Sequence, residues 1–448
     1  MINDLIKYFQ NKKIIILGFG REGKSTYKLI RKYLKEQKLY IADANTELLN
    51  LNEFLKQDEN LELKCGESYL ENLEEYDLIL KSPGISLAKI DISKFEKKIK
   101  SQLELLLEFF NIFTIGITGT KGKSTTSSLI YKVLQEQNVN SLLLGNIGVP
   151  VFDCIDTLEE NTTIVLEMSS HQLEFMDLSP NIAILLNAYE EHLDHYKSFE
   201  NYVEAKCNIF KNQKNNDYFL YNCDNDVLKN VVNNPIAKTY KVSLNQTHGA
   251  QVYLKNDIVY LNEKELYNSK EEKRNLMGDY NLNNIMFVLT VSEIMGLDLN
   301  KTIKTINNFK TLEHRLELVG NKDGVLYYDN SIATIPMATI EAVKALKNVD
   351  TLIIGGMDRG IDYSEFIDYL NKSDIKNIIC MPKTGHDIAK KLSDDRKYIV
   401  ETLEEAVDTA KKVTEKGKIC LLSPAAASYG FFKNFEEKGN LYKKLVMQ

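Results

Sequence analysis

Three stretches of the chain alternate short apolar strands, glycine turns and amphipathic helices. They predict an α/β protein of three domains, each a mostly parallel open sheet with helices. Residues 13–43 run strand, glycine turn, helix, strand. Residues 113–126 run from an apolar strand into a second glycine loop and the start of a helix. Residues 351–422 alternate three apolar strands with helical segments. The expected domains are 1–100, Rossmann-like; 101–308, built around a phosphate loop of the ATPase type; and 309–448, again Rossmann-like.

The 448 residues are 44% hydrophobic and 27% charged, ordinary values for a globular protein. A net charge of −7 gives no reason to expect nucleic acid as a partner. The six cysteines are scattered without a C-x-x-C pair, as expected of reduced thiols rather than a disulfide or zinc framework. Met1-Ile-Asn-Asp-Leu-Ile-Lys7 is not a basic start followed by an apolar run, and no apolar run is long enough for a bilayer. A cytoplasmic protein with no membrane partner is the expectation.

Lys13-Ile-Ile-Ile-Leu17 reads as a buried parallel strand. It enters Gly18-Phe-Gly-Arg-Glu-Gly-Lys-Ser25 and a helix. The next strand ends at Asp43, about twenty residues after Gly23, the spacing at which a dinucleotide fingerprint places a ribose-binding acid. The strand Asp77–Leu80 is followed by Lys81-Ser-Pro-Gly84, a turn where ligands of open sheets collect. Residues 85–111 form a connector that includes an apolar helix around 102–110.

The central domain opens with Phe113–Ile117 and Gly119-Thr-Lys-Gly-Lys-Ser-Thr125. Glycines let backbone N–H groups close around a phosphate, and the following helix turns its positive end toward it. Lys123 is placed to reach phosphate oxygens, and a Ser124 or Thr125 hydroxyl to ligate Mg²⁺. Gly18–Ser25 fits the strict phosphate-loop string better, because Ile117 occupies the first glycine slot of the central loop. Context reverses that ranking: only the central loop is followed by metal-ligand types. The strand Thr163–Leu166 ends at Glu167, a frequent Mg²⁺ position in such enzymes. The strand Ile182–Leu186 leads to Glu190, Glu191, His192, Asp194 and His195. Gly145-Asn-Ile-Gly148 is a further glycine turn after a strand. Lys206 reads by itself as an ordinary helix lysine. Residues 211–275 are polar and read as edge strands and loops, with a solvated charge run at 269–274. Asn281 suits either a helix cap or an adenine contact.

The third domain begins with Glu313-His-Arg-Leu-Glu317 and Val325–Ser331. Its strands end in Gly355-Gly-Met-Asp-Arg-Gly360 and Ser423-Pro-Ala-Ala-Ala-Ser428. No fixed-period repeat and no low-complexity tract is visible.

Taken together, Gly119–Thr125, Gly145–Gly148, Glu167-Met-Ser-Ser-His-Gln-Leu-Glu174, Glu191-His-Leu-Asp194, Ala205-Lys206, Gly278-Asp-Tyr-Asn281, His314-Arg315, Asp329-Asn-Ser331 and Ser423–Phe435 resemble the motifs of the bacterial Mur ligases, in the family's order and over essentially the whole chain. The resemblance implies an ATP-dependent, ADP-forming acid–amino-acid ligase of peptidoglycan precursor synthesis. It points to the branch that adds D-glutamate to UDP-N-acetylmuramoyl-L-alanine through an acyl phosphate. A ligase for another amino acid, of folylpolyglutamate synthase-like type, and a phosphate-loop kinase are the rival readings.

The resemblance also distributes roles. Gly18, Arg21, Gly23, Lys24, Asp43, Ser82, Pro83 and Gly84 become uridine-diphosphate contacts, with Asn146, Ser169 and Gln172 also on the substrate side. ATP goes to Gly119, Thr120, Lys121, Gly122, Lys123, Ser124 and Thr125, with Asn281, Arg315, Asp329 and Asn330. Two Mg²⁺ ions are implied, using Ser124, Glu167, His192 and a carbamylated Lys206; Lys123, His192 and Lys206 are the implied catalytic groups. Thr334, Arg359, Ser428 and Phe435 fall around the glutamate. The expected state is a monomer acting on small molecules. Asn330-Ser-Ile-Ala-Thr334 departs from the common Asp-Ser-Lys-Ala-Thr, so Asn330 stands in the acid slot and Ile332 in place of a cation. His171 replaces a residue that is often aromatic.

Overall fold

The computed structural model describes residues 1–146, 149–191, 193–246, 248–392 and 395–448, without the side chains of Leu193 and Asp194. It is an α/β protein with three sheets, and its contacts divide it into two compact units, 1–273 with 283–306 and 274–282 with 307–448.

The first sheet contains β1 (Ile14–Leu17), β2 (Leu39–Asp43), β3 (Leu61–Cys65), β4 (Leu78–Lys81) and β5 (Ile99–Lys100), in the order β3-β2-β1-β4-β5. All its ladders are parallel. β1 is four aliphatic residues, all buried, as a strand covered on both faces requires. The order reverses between β1 and β4, the kind of switch point beside which open sheets bind ligands. Gly18–Lys24 and Ser82–Gly84 are the loops after these two strands.

The second sheet comprises β6 (Phe113–Thr118), β7 (Ser141–Gly145), β8 (Thr163–Glu167), β9 (Ile182–Leu185), β10 (Tyr218–Asn222), β11 (Lys238–Ser243), β12 (Val252–Lys255), β13 (Ile258–Leu261) and β14 (Lys264–Asn268). Its order is β14-β13-β12-β11-β10-β9-β6-β8-β7, parallel from β7 to β12 and antiparallel beyond. Here the polar stretch 211–275 holds more regular structure than expected. β10 is an interior strand between β9 and β11, with Phe219, Leu220 and Tyr221 buried. Three apolar residues suffice for an interior strand, and the surrounding asparagines and lysines belong to its connections.

The other unit carries β15 (Glu317–Lys322), β16 (Val325–Asp329), β17 (Val349–Ile354), β18 (Asn377–Cys380), β19 (Lys397–Ile399) and β20 (Ile419–Leu422). The order is β15-β16-β20-β17-β18-β19, with only the β15–β16 pair antiparallel. Pro336 opens the helix Pro336–Leu346, where its missing N–H costs nothing. Asn434 caps the helix Phe435–Met447 by accepting from Glu437 N–H. Among the described residues no helix is long and apolar enough to cross a membrane.

Candidate active site

The central loop lies between the ends of two strands and is held there by one side chain. Gly122 has φ 88°, a left-handed turn that suits glycine, and it opens the helix Lys123–Glu136. A Cβ on Gly119 would fall 2.9 Å from Leu186 Cβ, so the backbone lies directly against the end of β9. Asn187 pins it on both sides. Its carbonyl accepts from Thr120 N–H at 3.1 Å. Its Oδ1 accepts from Lys121 N–H at 2.9 Å, and its Nδ2 donates to the Lys121 carbonyl at 3.0 Å. Thr120 Oγ1 accepts from Tyr189 N–H at 2.9 Å and lies 2.9 Å from the Tyr202 hydroxyl. This frame presents the helix N-terminus as an anion site. Lys123 Nζ spans the loop, donating to the carbonyls of Gly119 at 2.8 Å and Thr120 at 3.1 Å. Ser124 is buried in the first helical turn and Thr125 half-buried.

Lys206 comes from the helix Phe199–Lys211. It is 2% exposed, and its Nζ donates to the same Gly119 carbonyl at 3.1 Å. It lies 4.6 Å from the Tyr202 ring centroid. Burial, then the charge of Lys123, push its pKa well below the usual lysine range; Lys121 adds to this and Glu191 opposes it. The amine is therefore disposed to be neutral. Tyr202 is pushed upward by the same burial.

Glu167 ends β8 at 1% exposure. Its Oε1 accepts from Asn146 Nδ2 at 2.8 Å, whereas Oε2 is buried without a hydrogen-bond partner among the described residues. Leaving such an oxygen unsatisfied costs about 1–3 kcal/mol. A hard divalent cation takes oxygen ligands of this kind, so the observed donor set fits Mg²⁺. Glu191 pairs with Lys121 at 3.1 Å. His192 lies outside the described residues. His195 instead faces Glu174 at 3.1 Å, and Glu174 also pairs with the buried Lys81 at 3.3 Å. That chain of charges was not foreseen; the available signal was a lysine set between a buried strand and Ser82-Pro83.

At the first sheet, Gly18 has φ 82° and its carbonyl accepts from Ser82 Oγ at 2.8 Å. A Cβ on Gly23 would lie 2.0 Å from the Gly18 carbonyl oxygen, so only glycine lets the helix Arg21–Tyr33 approach the loop. Asp43 accepts from Phe19 N–H at 2.7 Å and Asn45 N–H at 2.9 Å, so its carboxylate shapes this loop. Arg21 is exposed, Lys24 and Pro83 half-buried, and Gly84 exposed. Gln172 and Ser169 form a capping box, and Gln172 Nε2 donates to Glu22 Oε1 at 2.8 Å. Burial raises the pKa of Glu22, an effect that its Gln172 bond opposes.

In the other unit, Asp329 is fully buried. Its carboxylate faces His314 Nδ1 at 2.7 Å and accepts from Ser331 N–H at 2.8 Å. This pair holds His314 at φ 64°, an uncommon conformation for a non-glycine residue, just before Arg315. Gly439 of the last helix packs on the pair: a Cβ there would be 2.2 Å from His314 Nδ1 and 2.5 Å from Asp329 Oδ2. Asn330 Nδ2 donates to Ser423 Oγ at 3.0 Å, and its Oδ1 accepts from Leu316 N–H at 3.3 Å. His314, Glu317 and Asp329 bring potential metal ligands within 4.8 Å of one another, but Lys443 already supplies a cation 3.2 Å from Glu317. Asn281 Nδ2 donates to the Met277 carbonyl at 2.8 Å. Thr334 and Phe435 are half-buried, Arg359 is exposed, and Ser428 is buried with its Oγ unpartnered among the described residues.

Three domain families match the chain in sequence. They are described as Mur ligase MurD-like, N-terminal domain, over residues 12–101; Mur ligase middle domain, over 117–292; and Mur ligase, glutamate ligase domain, over 314–426. The UDP-N-acetylmuramoylalanine–D-glutamate ligase of Clostridioides difficile (strain 630) is 34% identical over 450 residues, covering 98% of each chain. The ligase of that name from Clostridium botulinum (strain 657 / Type Ba4) is 33% identical over 455 residues, covering 99% of this chain and 97% of the relative. Among solved structures, MurF ligase from Thermotoga maritima in complex with ADP aligns over 99% of this chain and 96% of its own, with TM-score 0.60 and 17% identity. The UDP-N-acetylmuramate-alanine ligase MurC of Thermotoga maritima aligns with TM-score 0.58 and 18% identity over 98% and 99%. At those identities the structures speak for the fold alone.

Proposed function

The chain belongs to the Mur ligase family, and on that premise we propose that it joins D-glutamate to UDP-N-acetylmuramoyl-L-alanine while ATP becomes ADP and phosphate. The two relatives carry that activity in their names, and the match runs end to end.

The observation that carries amide ligation over phosphoryl transfer to a hydroxyl is Lys206. A buried lysine beside the phosphate loop, pushed toward neutrality, is out of place as a phosphate-binding cation. It suits a different use. The neutral amine adds its lone pair to CO₂ and releases a proton, and the carbamate so formed is an anion. That anion is favoured by Lys123 and Lys121, the same charges that oppose an ammonium. Carbamylation thus converts a repulsive position into a metal-ligand position.

A carboxylate is a poor acyl donor. Its charge repels an amine, and oxide is a bad leaving group. In the proposed reaction the substrate carboxylate attacks the γ-phosphorus of ATP and ADP leaves. The glutamate amine then attacks the acyl carbon, and phosphate departs from the tetrahedral intermediate. The loop N–H groups of Gly119–Thr125 and Lys123 hold phosphate oxygens, and Asn187 keeps the loop in register for them. Ser124 and Glu167 would hold one Mg²⁺, and His192 with carbamylated Lys206 a second. Bound there, Mg²⁺ would neutralise phosphate charge and allow two anions to approach.

Gly18, Gly23, Lys24, Arg21 and Ser82–Gly84 are assigned to the uridine diphosphate. Asp43 contributes through the loop it shapes. Asn146, Ser169 and Gln172 are assigned to the substrate side as well. Asn281 and Arg315 are assigned to ATP, with Asn330 at its ribose and Asp329 positioning His314 beside Arg315. Thr334, Arg359, Ser428 and Phe435 are assigned to glutamate.

The deciding experiment is an amino-acid panel with ATP, Mg²⁺ and UDP-N-acetylmuramoyl-L-alanine, with D- and L-glutamate side by side. Phosphate release that depends on D-glutamate supports the reading. A stable phosphorylated product formed without any amino acid would sink it.

A further inference from the structure

Lys81 is the last residue of β4 and stands directly before Ser82-Pro83-Gly84. Its side chain is 3% exposed. Burying a charge is costly, so a lysine at a strand end ordinarily sends its ammonium into water. Here it turns inward and crosses to the second sheet. Its Nζ lies 3.3 Å from Glu174 Oε2. Glu174 follows the short helix Ser170–Leu173, and its Oε2 also lies 3.1 Å from Nε2 of the buried His195. Burial pushes the Glu174 carboxyl up, but the bond to His195 and the charge of Lys81 outweigh it and hold the group below its usual range. The three side chains form an ionic chain between a loop of the first sheet and two loops of the second.

Both ends of this chain lead to a substrate loop. On the first sheet, Ser82 N–H donates to the Leu17 carbonyl at 2.9 Å and Ser82 Oγ to the Gly18 carbonyl at 2.8 Å. The residue next to Lys81 thus fixes the loop assigned to the uridine diphosphate. On the second sheet, His195 packs on Tyr196 with ring centroids 4.6 Å apart, and Tyr196 on Tyr202 at 5.5 Å. The Tyr202 hydroxyl is 2.9 Å from Thr120 Oγ1 in the phosphate loop. Asn208 Nδ2, from the helix that carries Lys206, donates to the Leu173 and Glu174 carbonyls at 2.9 and 3.3 Å. Stability does not call for the ion pair. One apolar core already runs through both sheets, with Ile14, Ile16 and Leu80 in the same cluster as Ile164, Leu166 and Ala183. A buried ion pair seldom stabilises more than apolar packing of the same volume. What it adds is direction, because its bonds hold the two partners in one relative placement.

We propose that Lys81 is a positioning residue of the ligase. Through Glu174 it keeps the uridine-diphosphate loop and the phosphate loop at a fixed span, so that holding the nucleotide end of the substrate aligns its reacting carboxylate with ATP. The proposal rests on the ligase reading given above. Binding of a remote part of a substrate raises kcat only where the two ends are rigidly connected.

The test compares two substrates in the full-length wild type and in Lys81→Met. One is UDP-N-acetylmuramoyl-L-alanine. The other is N-acetylmuramoyl-L-alanine 1-phosphate, the same molecule cut at its diphosphate and lacking UMP. Phosphate release at saturating ATP and D-glutamate gives kcat for each, and thermal melts show that the variant is folded. Methionine keeps the length and apolar stem of lysine and removes its bond to Glu174. Lys81→Met lowers kcat on the full substrate roughly 30-fold, while kcat on the short one stays within about threefold of the wild type. The wild type is itself the slower on the short substrate. Equal slowing on both substrates, slowing on neither, or a wild type as fast on the short substrate as on the full one overturns the proposal. If the short substrate turns over too slowly to measure, the full one decides: a fall in kcat of about tenfold or more with its KM within about threefold supports the proposal, and any other pattern overturns it. If Lys81→Met does not fold, Lys81→Gln is judged on the same criteria. A wild type that shows no glutamate-dependent phosphate release overturns the ligase reading instead.

Discussion

Replacing Lys438, a buried lysine in the first turn of the helix Phe435–Met447, by methionine raises stability, and the size of the gain follows from the structure. The lysine pKa falls from 10.5 to about 8 by burial alone, with no nearby charge contributing. At 1.36 kcal/mol per tenfold change in proton affinity, the protonated amine costs the fold about 3 kcal/mol at neutral pH. Removing the ammonium also removes its long contact with the Gly355 carbonyl, worth at most about 1 kcal/mol. The variant therefore gains about 2 kcal/mol. For a unit of roughly 150 residues this is a rise in melting temperature of about 4–8 °C. The sign with pH is fixed by linkage. The folded pKa is depressed, so between about 8 and 10.5 the unfolded chain binds more protons and the wild type gains stability as pH rises. Below about 8 the deficit is constant. The gap between variant and wild type must be full at pH 7 and must shrink on approaching pH 10.5. Thermal melts of both proteins at pH 7, 8, 9 and 10, without ligands, measure it. A variant that melts lower than wild type at pH 7, or a gap that ignores pH, refutes the reasoning.

Three further outcomes are expected. Lys206→Met lowers kcat by about 10²–10³-fold without lowering the melting temperature; wild-type activity falls in CO₂-depleted buffer, recovers with bicarbonate, and ¹³C-bicarbonate labels a carbamate carbon by NMR. Glu167→Gln keeps the Asn146 bond to Oε1 and so keeps the fold; it weakens Mg²⁺ dependence and lowers kcat by about 10²-fold, read from Mg²⁺ titrations of phosphate release. Gly23→Ala places a carbon 2.0 Å from the Gly18 carbonyl; the loop must move, and the KM for the UDP substrate rises about tenfold or more while ATP is little affected.

Much of this was legible in sequence because the decisive signals are local. Four consecutive aliphatics made β1, and the glycine spacing located both loops. Glu167 was legible as an acid at the end of a buried strand. The remainder depends on contacts between distant segments. Lys206 looks like any helix lysine until the Gly119 carbonyl, 87 residues away, is set against it. Asp329 reads as a ligand contact; that its carboxylate faces His314 and accepts from Ser331 N–H emerges only on folding. Asp43 reads as a ribose acid; that it also accepts from the Phe19 and Asn45 N–H groups emerges only on folding. β10 was legible as a strand but expected at an edge, because the polar connections around its three buried residues hid its interior place. Lys438 carried no signal at all, since burial of a lysine is a property of the folded chain.

The glycine at 439 has a practical consequence. Its missing side chain lets the final helix close on His314 and Asp329, while the first turn of that helix supplies Lys438. The helix Phe435–Met447 is therefore packed into this unit rather than trailing from it. Shortening it, or loading its end with an affinity tag that pulls the helix away, would uncover the histidine that precedes Arg315 and remove a lysine 3.4 Å from the Gly355 carbonyl in a single step.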